Sequence, residues 1–343
     1  MVLKGRWVVR RVFTSLLILL GIAALLVFGA ALWWLHEPMP LRLKPGTQVL
    51  DLEIESGTTA SGVADAVVAS GADVQVRFLQ AWFRFSGQAR LIKAGSYEIV
   101  PGTSPRKLLS MLVRGEEALK SVTLVEGWTF NQVLQALQKA EQLTPDTLGL
   151  SPEMIMQKLE RPSVYPEGRF FPDTYTYAKG SSDLAVLKRA ARAMDRRLEA
   201  AWNLRSPATP LKSPDEALIL ASIVEKETGK PSDREQVSAV FTNRLRIGMP
   251  LQTDPTVIYG MGDRFDGNLR KRDLQQDTPY NTYTRTGLPP TPIAMPGKAA
   301  LLAAVQPAST KALYFVSRGD GTSEFSENLD GHNRAVNKYI RGR

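Results

Sequence analysis

The stretch that decides the fold is Ser213-Pro-Asp-Glu-Ala-Leu-Ile-Leu-Ala-Ser-Ile-Val-Glu-Lys-Glu-Thr-Gly229, which carries both the start and the stop signals of a helix. Ser213 suits the N-cap position and Pro214 the first helical position. Glu216 follows three residues after the cap and predicts a capping box. Because glycine commonly ends helices, Gly229 predicts where this one stops.

One face of this predicted helix carries an acidic residue in line with apolar ones. The stripe has helical i, i+3, i+4, i+7 spacing and consists of Leu220, Ile223, Val224 and Glu227. Glu225 points to another face, with Leu218 and Ser222. Burial and the helix macrodipole at the last turn both raise the pKa of a carboxyl group, as a general acid requires. Glu227 is therefore the candidate catalytic acid, unless its stem packs on the core while its carboxylate reaches water or a basic partner.

Composition narrows the chemistry that this chain of 343 residues can perform. It has no Cys and only two His, His36 and His332, which excludes disulfides and thiol nucleophiles and argues against a His-rich metal site. It also lacks the G-x-S-x-G elbow and the phosphate-binding P-loop. We expect no metal and no cofactor, so the chemistry must use carboxylates, amides, hydroxyls and tyrosines.

The N-terminal region predicts a membrane helix. Residues Val12 to Leu35 contain no charged side chain and are long enough to span a bilayer core of about 30 Å. Basic residues precede this helix, so we expect residues 1–11 in the cytoplasm and the rest on the outer face of the inner (cytoplasmic) membrane, in the periplasm. Those basic residues are Lys4, Arg6, Arg10 and Arg11. The alternative is a cleaved signal peptide.

The net charge of +9 predicts anionic surroundings, but nucleic acid is an improbable partner outside the cytoplasm.

Residues 36–47, with three prolines, predict a stiff spacer.

A strand, tight glycine turn and helix recur three times after this spacer. The turns are Gly57-Thr-Thr59, Gly102-Thr-Ser104 and Gly127-Trp-Thr129, and each places a Ser or Thr at a predicted N-cap. The segment from about Val49 to Arg114 resembles a LysM-like βααβ module, a fold that grips N-acetylglucosamine polymers in other proteins. We place this domain at residues 48–118; the alternative is a small α/β packing domain that only sets the height of the next domain above the membrane.

Residues 119–343 predict a larger mixed α/β domain, which makes the whole chain α+β. Helices are expected at Asp183–Trp202 and Arg234–Arg246 and a strand at Leu313–Val316, whereas 248–296 predicts a long loop that builds a site. Asp254 is the best second carboxylate there, although an Asx cap explains it equally well. The candidate substrate-binding residues carry amide, hydroxyl or carboxyl groups: Gln252, Thr253, Asp254, Tyr259, Tyr280, Asn281, Tyr283 and Asn333.

Five motifs resemble the endolytic lytic murein transglycosylases, the YceG-like family. They are Leu220-Ala-Ser-Ile-Val-Glu-Lys-Glu-Thr228, Phe241-Thr-Asn-Arg-Leu-Arg-Ile-Gly-Met249, Leu251-Gln-Thr-Asp-Pro-Thr-Val-Ile-Tyr-Gly-Met-Gly262, Tyr280-Asn-Thr-Tyr283 and Gly287-Leu-Pro-Pro290. The resemblance covers nearly the whole chain, and it implies that the second Glu of Glu-Lys-Glu-Thr, Glu227 here, is the acid and base.

The resemblance also implies the reaction and the partners. The β-1,4 bond between N-acetylmuramic acid and N-acetylglucosamine is cleaved without water, which leaves a 1,6-anhydro end and terminates strand elongation. The implied partners are peptidoglycan glycan strands, the inner membrane and peptidoglycan synthases.

Two other interpretations fit the residues. One is a muramidase-type hydrolase in which Asp254 or another carboxylate activates water, and the other is a non-catalytic glycan-binding scaffold.

Overall fold

The computed structural model describes residues 2–43 and 48–342, and for residues 2–15 it describes the backbone alone. The chain forms two compact units, Met1–Leu119 and Lys120–Arg343. Both units contain helices and strands, which confirms the predicted mixture of α and β structure.

The first unit begins with one long helix and continues as a small α/β domain. Its elements are α1 (Val2–His36), β1 (Leu50–Ile54), α2 (Ala60–Ser70), α3 (Val76–Phe85), β2 (Gly95–Ile99) and α4 (Pro105–Arg114).

Helix α1 contains an apolar segment, Leu16–His36, of 21 residues. Its length and composition suffice to cross a membrane, although an N-terminal signal sequence has the same character. The side chains of the four basic residues that predicted its orientation lie outside the described residues.

The domain after α1 is built around an antiparallel pair of strands. β1 pairs with β2 in a register that places Leu52 opposite Tyr97, and both side chains are buried. Helices α2 and α3 lie between these strands in sequence. The predicted N-caps are confirmed, since the Thr59 hydroxyl accepts from the Gly62 N–H and the Ser104 hydroxyl from the Lys107 N–H. The LysM-like identity of this βααβ arrangement stays a prediction.

Part of the predicted spacer packs into this domain instead of standing free. Met39 is buried in the hydrophobic core, Leu41 forms a bridge with Ala72, and the Arg42 N–H donates to the Gly71 carbonyl at 2.8 Å. The sequence suggested a spacer because of its prolines, but Met39 is buried in the core and Leu41 packs against it. Residues 44–47 of the predicted spacer lie outside the described residues.

Among the described residues, the second unit contains the remaining helices and two two-stranded sheets. Its elements are β3 (Leu119–Thr123), α5 (Phe130–Lys139), α6 (Pro152–Lys158), β4 (Thr174–Ala178), α7 (Asp183–Asn203), α8 (Pro214–Glu227), α9 (Arg234–Arg246), α10 (Asp254–Met261), α11 (Lys271–Gln275), α12 (Lys298–Val305), β5 (Tyr314–Ser317), β6 (Ser323–Ser326) and α13 (Leu329–Tyr339).

Helix α8 is the centre of this unit. Residues 217–224 are all buried, because α7, α9, α10 and α12 pack around the helix. Leu218 and Ser222, which the helical wheel placed away from the apolar stripe, are as fully buried as Leu220. The buried surface of α8 is therefore wider than the predicted one-sided apolar stripe.

The ends of α8 differ in detail from the sequence prediction. Ser213 caps the helix as predicted, but the Glu216 carboxylate accepts from the Lys212 N–H at 2.6 Å, so the capping box does not form. The helix ends at Glu227 with Thr228 as its C-cap, so Gly229 follows directly after the cap as predicted, and the Thr228 hydroxyl donates to the Val224 carbonyl at 2.7 Å. Gly229 also allows a close approach of another segment, because a Cβ there would lie 3.2 Å from the Gly321 carbonyl oxygen.

The predicted long loop at 248–296 contains two helices, α10 and α11, so this prediction was wrong in part. Proline and glycine interrupt the region at short intervals, and this conceals helices of only 8 and 5 residues. Two further elements gave no clear sequence signal. Helix α12 is almost entirely apolar and therefore lacks helical periodicity. Strand β6, which pairs with β5, has four partly buried residues and no inside–outside alternation.

A close contact at Gly168 yields a testable prediction about packing. Gly168 has φ +77, and an added Cβ would lie 2.5 Å from Cβ of Pro292, whereas Gly180 has φ +75 and open space around it. Both Gly→Ala changes cost about 1–2 kcal/mol because of the backbone conformation. Gly168→Ala should cost about 1–3 kcal/mol more through overpacking. Denaturant unfolding of the two variants measures the difference, and equal losses would contradict tight packing at Gly168.

Candidate functional site

The last residue of α8 meets the segment that opens α10. Glu227 is partly buried, and the Thr253 hydroxyl donates a short hydrogen bond to its Oε1. Burial raises the pKa of Glu227, the hydrogen bond from Thr253 lowers it, and the nearby negative charge of Asp254 raises it. Burial is the largest of these effects, so the pKa of Glu227 is raised. A carboxyl group in this setting keeps its proton to higher pH than an exposed Glu.

A cluster of buried threonines holds Thr253 in place. The Thr253 N–H donates to the Thr282 hydroxyl at 3.0 Å, and the Thr256 hydroxyl donates to the Thr253 carbonyl at 2.8 Å. The hydroxyls of Thr256 and Thr282 are themselves 2.9 Å apart. All three residues are buried, so the donor to Glu227 is fixed before any ligand binds.

Gln252, next to Thr253, has a strained backbone. Its φ of 48° lies in the left-handed region, which residues other than glycine rarely adopt. The Gln252 N–H donates to the Thr282 carbonyl at 3.0 Å, and its side chain is exposed. Strain of this kind persists only where the surroundings enforce it, and it is concentrated at functional sites.

Arg244 fixes the chain that leads into Gln252. Its buried guanidinium donates to the carbonyl oxygens of Leu251 at 2.8 Å and of Leu313 at 2.7 Å. The sequence placed Arg244 within the predicted helix Arg234–Arg246 but indicated no contact for its side chain. Burial of a long cationic side chain cannot be seen in the sequence alone.

Asp254 and Tyr283, two predicted binding residues, contact each other beside Glu227. The Tyr283 hydroxyl donates to Asp254 Oδ1 at 2.5 Å. Burial, the hydrogen bond to Asp254 and its negative charge all raise the pKa of Tyr283, so the phenol stays protonated. Asp254 is the first residue of α10 and is exposed, so its carboxylate can face a ligand.

Tyr259 and Tyr280 form a second group around a buried carboxylate that sequence reasoning missed. Their rings lie 5.0 Å apart in an edge-on arrangement, and the Tyr259 hydroxyl donates to Glu167 Oε2 at 3.1 Å. The Tyr280 hydroxyl is 2.7 Å from the Thr291 hydroxyl. The sequence from Glu167 to Tyr177 is rich in aromatic residues, but nothing in it indicated that Glu167 is buried.

Glu167 is only 4% exposed and accepts hydrogen bonds from several donors. Its Oε1 accepts from the N–H of Phe130, the first residue of α5, at 2.9 Å. Burial raises the pKa of Glu167 to about 7, while the hydrogen bonds from Tyr259, Phe130 and Gly168 lower it. The group therefore titrates near neutrality.

Two predicted binding residues, Asn281 and Asn333, form no hydrogen bond with Glu227 or Thr253 among the described residues. Asn281 is fully buried, and its amide nitrogen donates to three carbonyl oxygens of one turn, those of Asp273, Leu274 and Gln276. It stabilises the loop and is closed to a ligand. Asn333 is exposed on α13, and within the described part of the chain no hydrogen bond connects it to Glu227 or Thr253.

Glu225 lies on a different face from Glu227 and has a structural contact. Its Oε2 accepts from the N–H of Gly297, the N-cap of α12, at 2.9 Å, and Arg234 lies 4.0 Å away. It therefore holds the start of α12 against α8. Among the described residues, no group of three or more His, Cys, Asp or Glu side chains could hold a metal ion.

The raised pKa of Glu167 predicts a pH-dependent stability. Between about pH 4.5 and 7 the folded state keeps a proton that an unfolded Glu has lost, so the free energy of unfolding falls as pH rises through this window. Glu167→Gln cannot titrate, so its stability relative to wild type should improve by roughly 2–3 kcal/mol across the window. Denaturant unfolding at several pH values measures this change.

A second variant tests the same assignment by extending the pH window of Glu167 instead of removing it. Tyr259→Phe removes a hydrogen bond that lowers the pKa of Glu167, so the upper end of the window should move to higher pH. Parallel stability curves for wild type and Glu167→Gln would contradict the assignment.

Comparison with known proteins identifies the family. The model of the YceG-like family matches residues 52–338. A Bacillus subtilis protein named endolytic murein transglycosylase is 30% identical over 342 residues, which cover 92% of this chain and 91% of that protein. A Streptococcus pneumoniae protein of the same name is 27% identical over 291 residues, and the match covers 74% of this chain but only 51% of the pneumococcal protein.

A solved structure supports the same conclusion. The crystal structure of a YceG-like protein from Listeria monocytogenes matches with a TM-score of 0.54 and 26% identity, covering 84% of this chain and 98% of that one. The chain belongs to the YceG-like family.

Proposed function

We propose that this chain is an endolytic murein transglycosylase, a lyase that acts on peptidoglycan, with Glu227 as its catalytic acid and base. The relatives named endolytic murein transglycosylase support the reaction class. The observation that supports the assignment is the contact between Glu227 and Thr253, which holds a partly exposed carboxyl group of raised pKa at the end of a buried helix.

The proposed reaction cleaves the β-1,4 bond between N-acetylmuramic acid and N-acetylglucosamine. Glu227 donates its proton to the glycosidic oxygen, and the bond from that oxygen to C1 of the muramic residue breaks with its electron pair leaving on the oxygen. The ionised Glu227 then takes the proton of the C6 hydroxyl as that oxygen bonds to C1. One carboxyl group thus serves as acid and then as base, unlike the two carboxylates of ordinary glycosidases. The product is a 1,6-anhydro end.

The hydrogen bond from Thr253 supports Glu227 both as the neutral acid and as the carboxylate base. Because its hydroxyl donates to Oε1 of Glu227, the proton of the neutral acid belongs on Oε2. The same hydrogen bond stabilises the carboxylate that remains after proton transfer. Since Thr253 is itself held by Thr282 and Thr256, Glu227 has a fixed orientation in both states.

Asp254 and Tyr283 supply the charge and hydroxyl groups nearest to the acid. The negative charge of Asp254 helps Glu227 to keep its proton, and in the transition state it opposes the positive charge that develops at C1. Gln252, with its exposed side chain next to Thr253, is placed to bind a sugar amide or hydroxyl. Tyr259 and Tyr280 belong to the Glu167 group and form a second candidate surface for the strand.

Because Asp254 lies close to Glu227, the site also favours one competing reaction. This is a muramidase-type hydrolysis in which the Asp254 carboxylate activates water. Mass spectrometry distinguishes the two, because the anhydro product is lighter by one water molecule. A glycan-binding scaffold would show neither product.

The cellular setting completes the proposal. The apolar segment of α1 would cross the inner membrane with the N-terminus in the cytoplasm, which leaves the second unit in the periplasm. The LysM-like domain would grip glycan beside the membrane. The glycan beside the membrane consists of nascent strands, so cleavage there would terminate strand elongation close to the peptidoglycan synthases.

The assignment of Glu227 can be tested with a pair of variants on the same helix. Glu227→Gln keeps the shape and an oxygen that accepts from Thr253 but has no acidic proton, so anhydro ends should fall by about 10²- to 10⁴-fold. Glu225→Gln can still accept from Gly297 and should have a mild effect. Muropeptide analysis of digested glycan strands measures both. Comparable losses in the two variants would show that the face assignment is wrong.

Thr253→Val tests the hydrogen bond to the catalytic acid. Because this bond lowers the pKa of Glu227, its loss should raise that pKa further and move the alkaline limb of kcat/KM to higher pH. Thr253→Ser keeps the donor and should retain the wild-type profile. A Thr253→Val limb at or below the wild-type pH would argue against the contact.

A further inference from the structure

A groove on the second unit, apart from Glu227, is lined by positive charge. It has a volume of about 480 Å³ and is bounded on one side by α7 and on the other by the chain around β4. We name it the arginine groove after four residues of α7, which are Arg189, Arg192, Arg196 and Arg197. The sequence predicted the helix that carries them but assigned no function to these arginines.

The arginines of this groove differ in how firmly they are held. Arg197 lies over the ring of Phe171 at 5.4 Å, and Arg189 lies over Tyr175 at 6.0 Å while donating to the Thr176 carbonyl at 2.5 Å. Within the described residues, Arg192 and Arg196 have neither a hydrogen bond nor an ion pair. Their guanidinium groups are exposed and keep all their donors available.

The charge in the groove is not balanced from within. Asp173 is the one carboxylate among its lining residues, and one of its oxygens already accepts from the Thr174 N–H at 2.7 Å. The four arginines therefore exceed the acidic residues by three formal charges. Like charges at helical i, i+3 and i+4 spacing repel one another, and a bound anion relieves this repulsion.

We propose that the arginine groove binds the peptide stems of peptidoglycan through their carboxylate groups, which rests on the proposed function of the chain. The guanidinium group presents paired donors that match a carboxylate. The rings of Phe171 and Tyr175 offer apolar surface to the aliphatic part of a stem. A concave groove with an aromatic wall suits a single chain, whereas a flat membrane surface is met by protruding basic residues.

The position of the groove fits a polymeric ligand. Arg169, two residues before Phe171, forms an ion pair with Asp215 in the first turn of α8 at 2.7 Å. Glu227 ends the same helix, and a helix of 14 residues is about 20 Å long. A ligand that reaches both places must be extended, and peptide stems recur along a glycan strand.

The experiment measures binding by the full chain, made inactive by Glu227→Gln so that strands stay intact. The probes are un-cross-linked glycan strands with their peptide stems and the same strands after an amidase has removed the stems. Adding Arg192→Gln and Arg196→Gln should raise Kd for stem-bearing strands about tenfold, equivalent to about 1.4 kcal/mol. Kd for bare strands should stay unchanged. A matched control, Lys139→Gln with Lys158→Gln, removes two charges from the last turns of α5 and α6 and should change neither value.

Other results would overturn the proposal. Equal weakening for bare and stem-bearing strands would mean that the groove does not read the stem, and no weakening for either would mean that it does not bind the strand. If the double Arg change weakened binding only to vesicles containing phosphatidylglycerol, the groove would serve a membrane surface. Cleavage by the chain with Glu227 intact is assayed separately, so stem binding without cleavage would support the groove and contradict the transglycosylase proposal.

Discussion

The second unit depends on the complete burial of one helix whose last residue is acidic. Helix α8 is surrounded by α7, α9, α10 and α12, so its backbone and side chains have almost no access to water along residues 217–224. A helix buried to this degree is rigid, and its end is therefore placed accurately. Glu227 lies at that end, where the packing stops and the hydroxyl of Thr253 provides its first polar contact. The acidity of the group follows from this position, because burial raises its pKa.

The short helix α10 links this carboxyl group to a second one. Thr253, which caps α10, donates to Glu227, and Tyr259, six residues later, donates to Glu167. Both carboxyl groups have raised pKa values because of burial. The strained backbone of Gln252 stands at the start of this link and is held by Thr282 and by the carbonyl contacts of Arg244. The segment 252–259 is therefore a fixed connector that holds one hydroxyl donor against each of the two carboxyl groups.

Sequence reasoning succeeded where the signal is local and failed where it depends on distant contacts. The N-caps Thr59, Ser104 and Thr129 and the bounds of α9 followed from short-range rules, and the structure confirms them. Helix α12 was missed because its uniformly apolar sequence lacks the periodicity that reveals a half-buried helix. Asn281 was interpreted as a ligand-binding amide, but its three carbonyl partners come from a turn that no spacing rule describes.

The sequence by itself determined where α8 begins, that an acid stands in its last turn, that an apolar N-terminal helix precedes the rest, and which family the motifs resemble. These properties depend on residues adjacent in the chain or separated by a few helical turns. Only the tertiary structure decided which carboxyl groups are desolvated, since burial of Glu167 and Glu227 requires segments more than 25 residues away to close over them. The same is true of the arginine groove, whose aromatic wall and basic helix meet only after folding. Electrostatic properties depend on the surroundings in space, and the order of residues specifies those surroundings only through the complete fold.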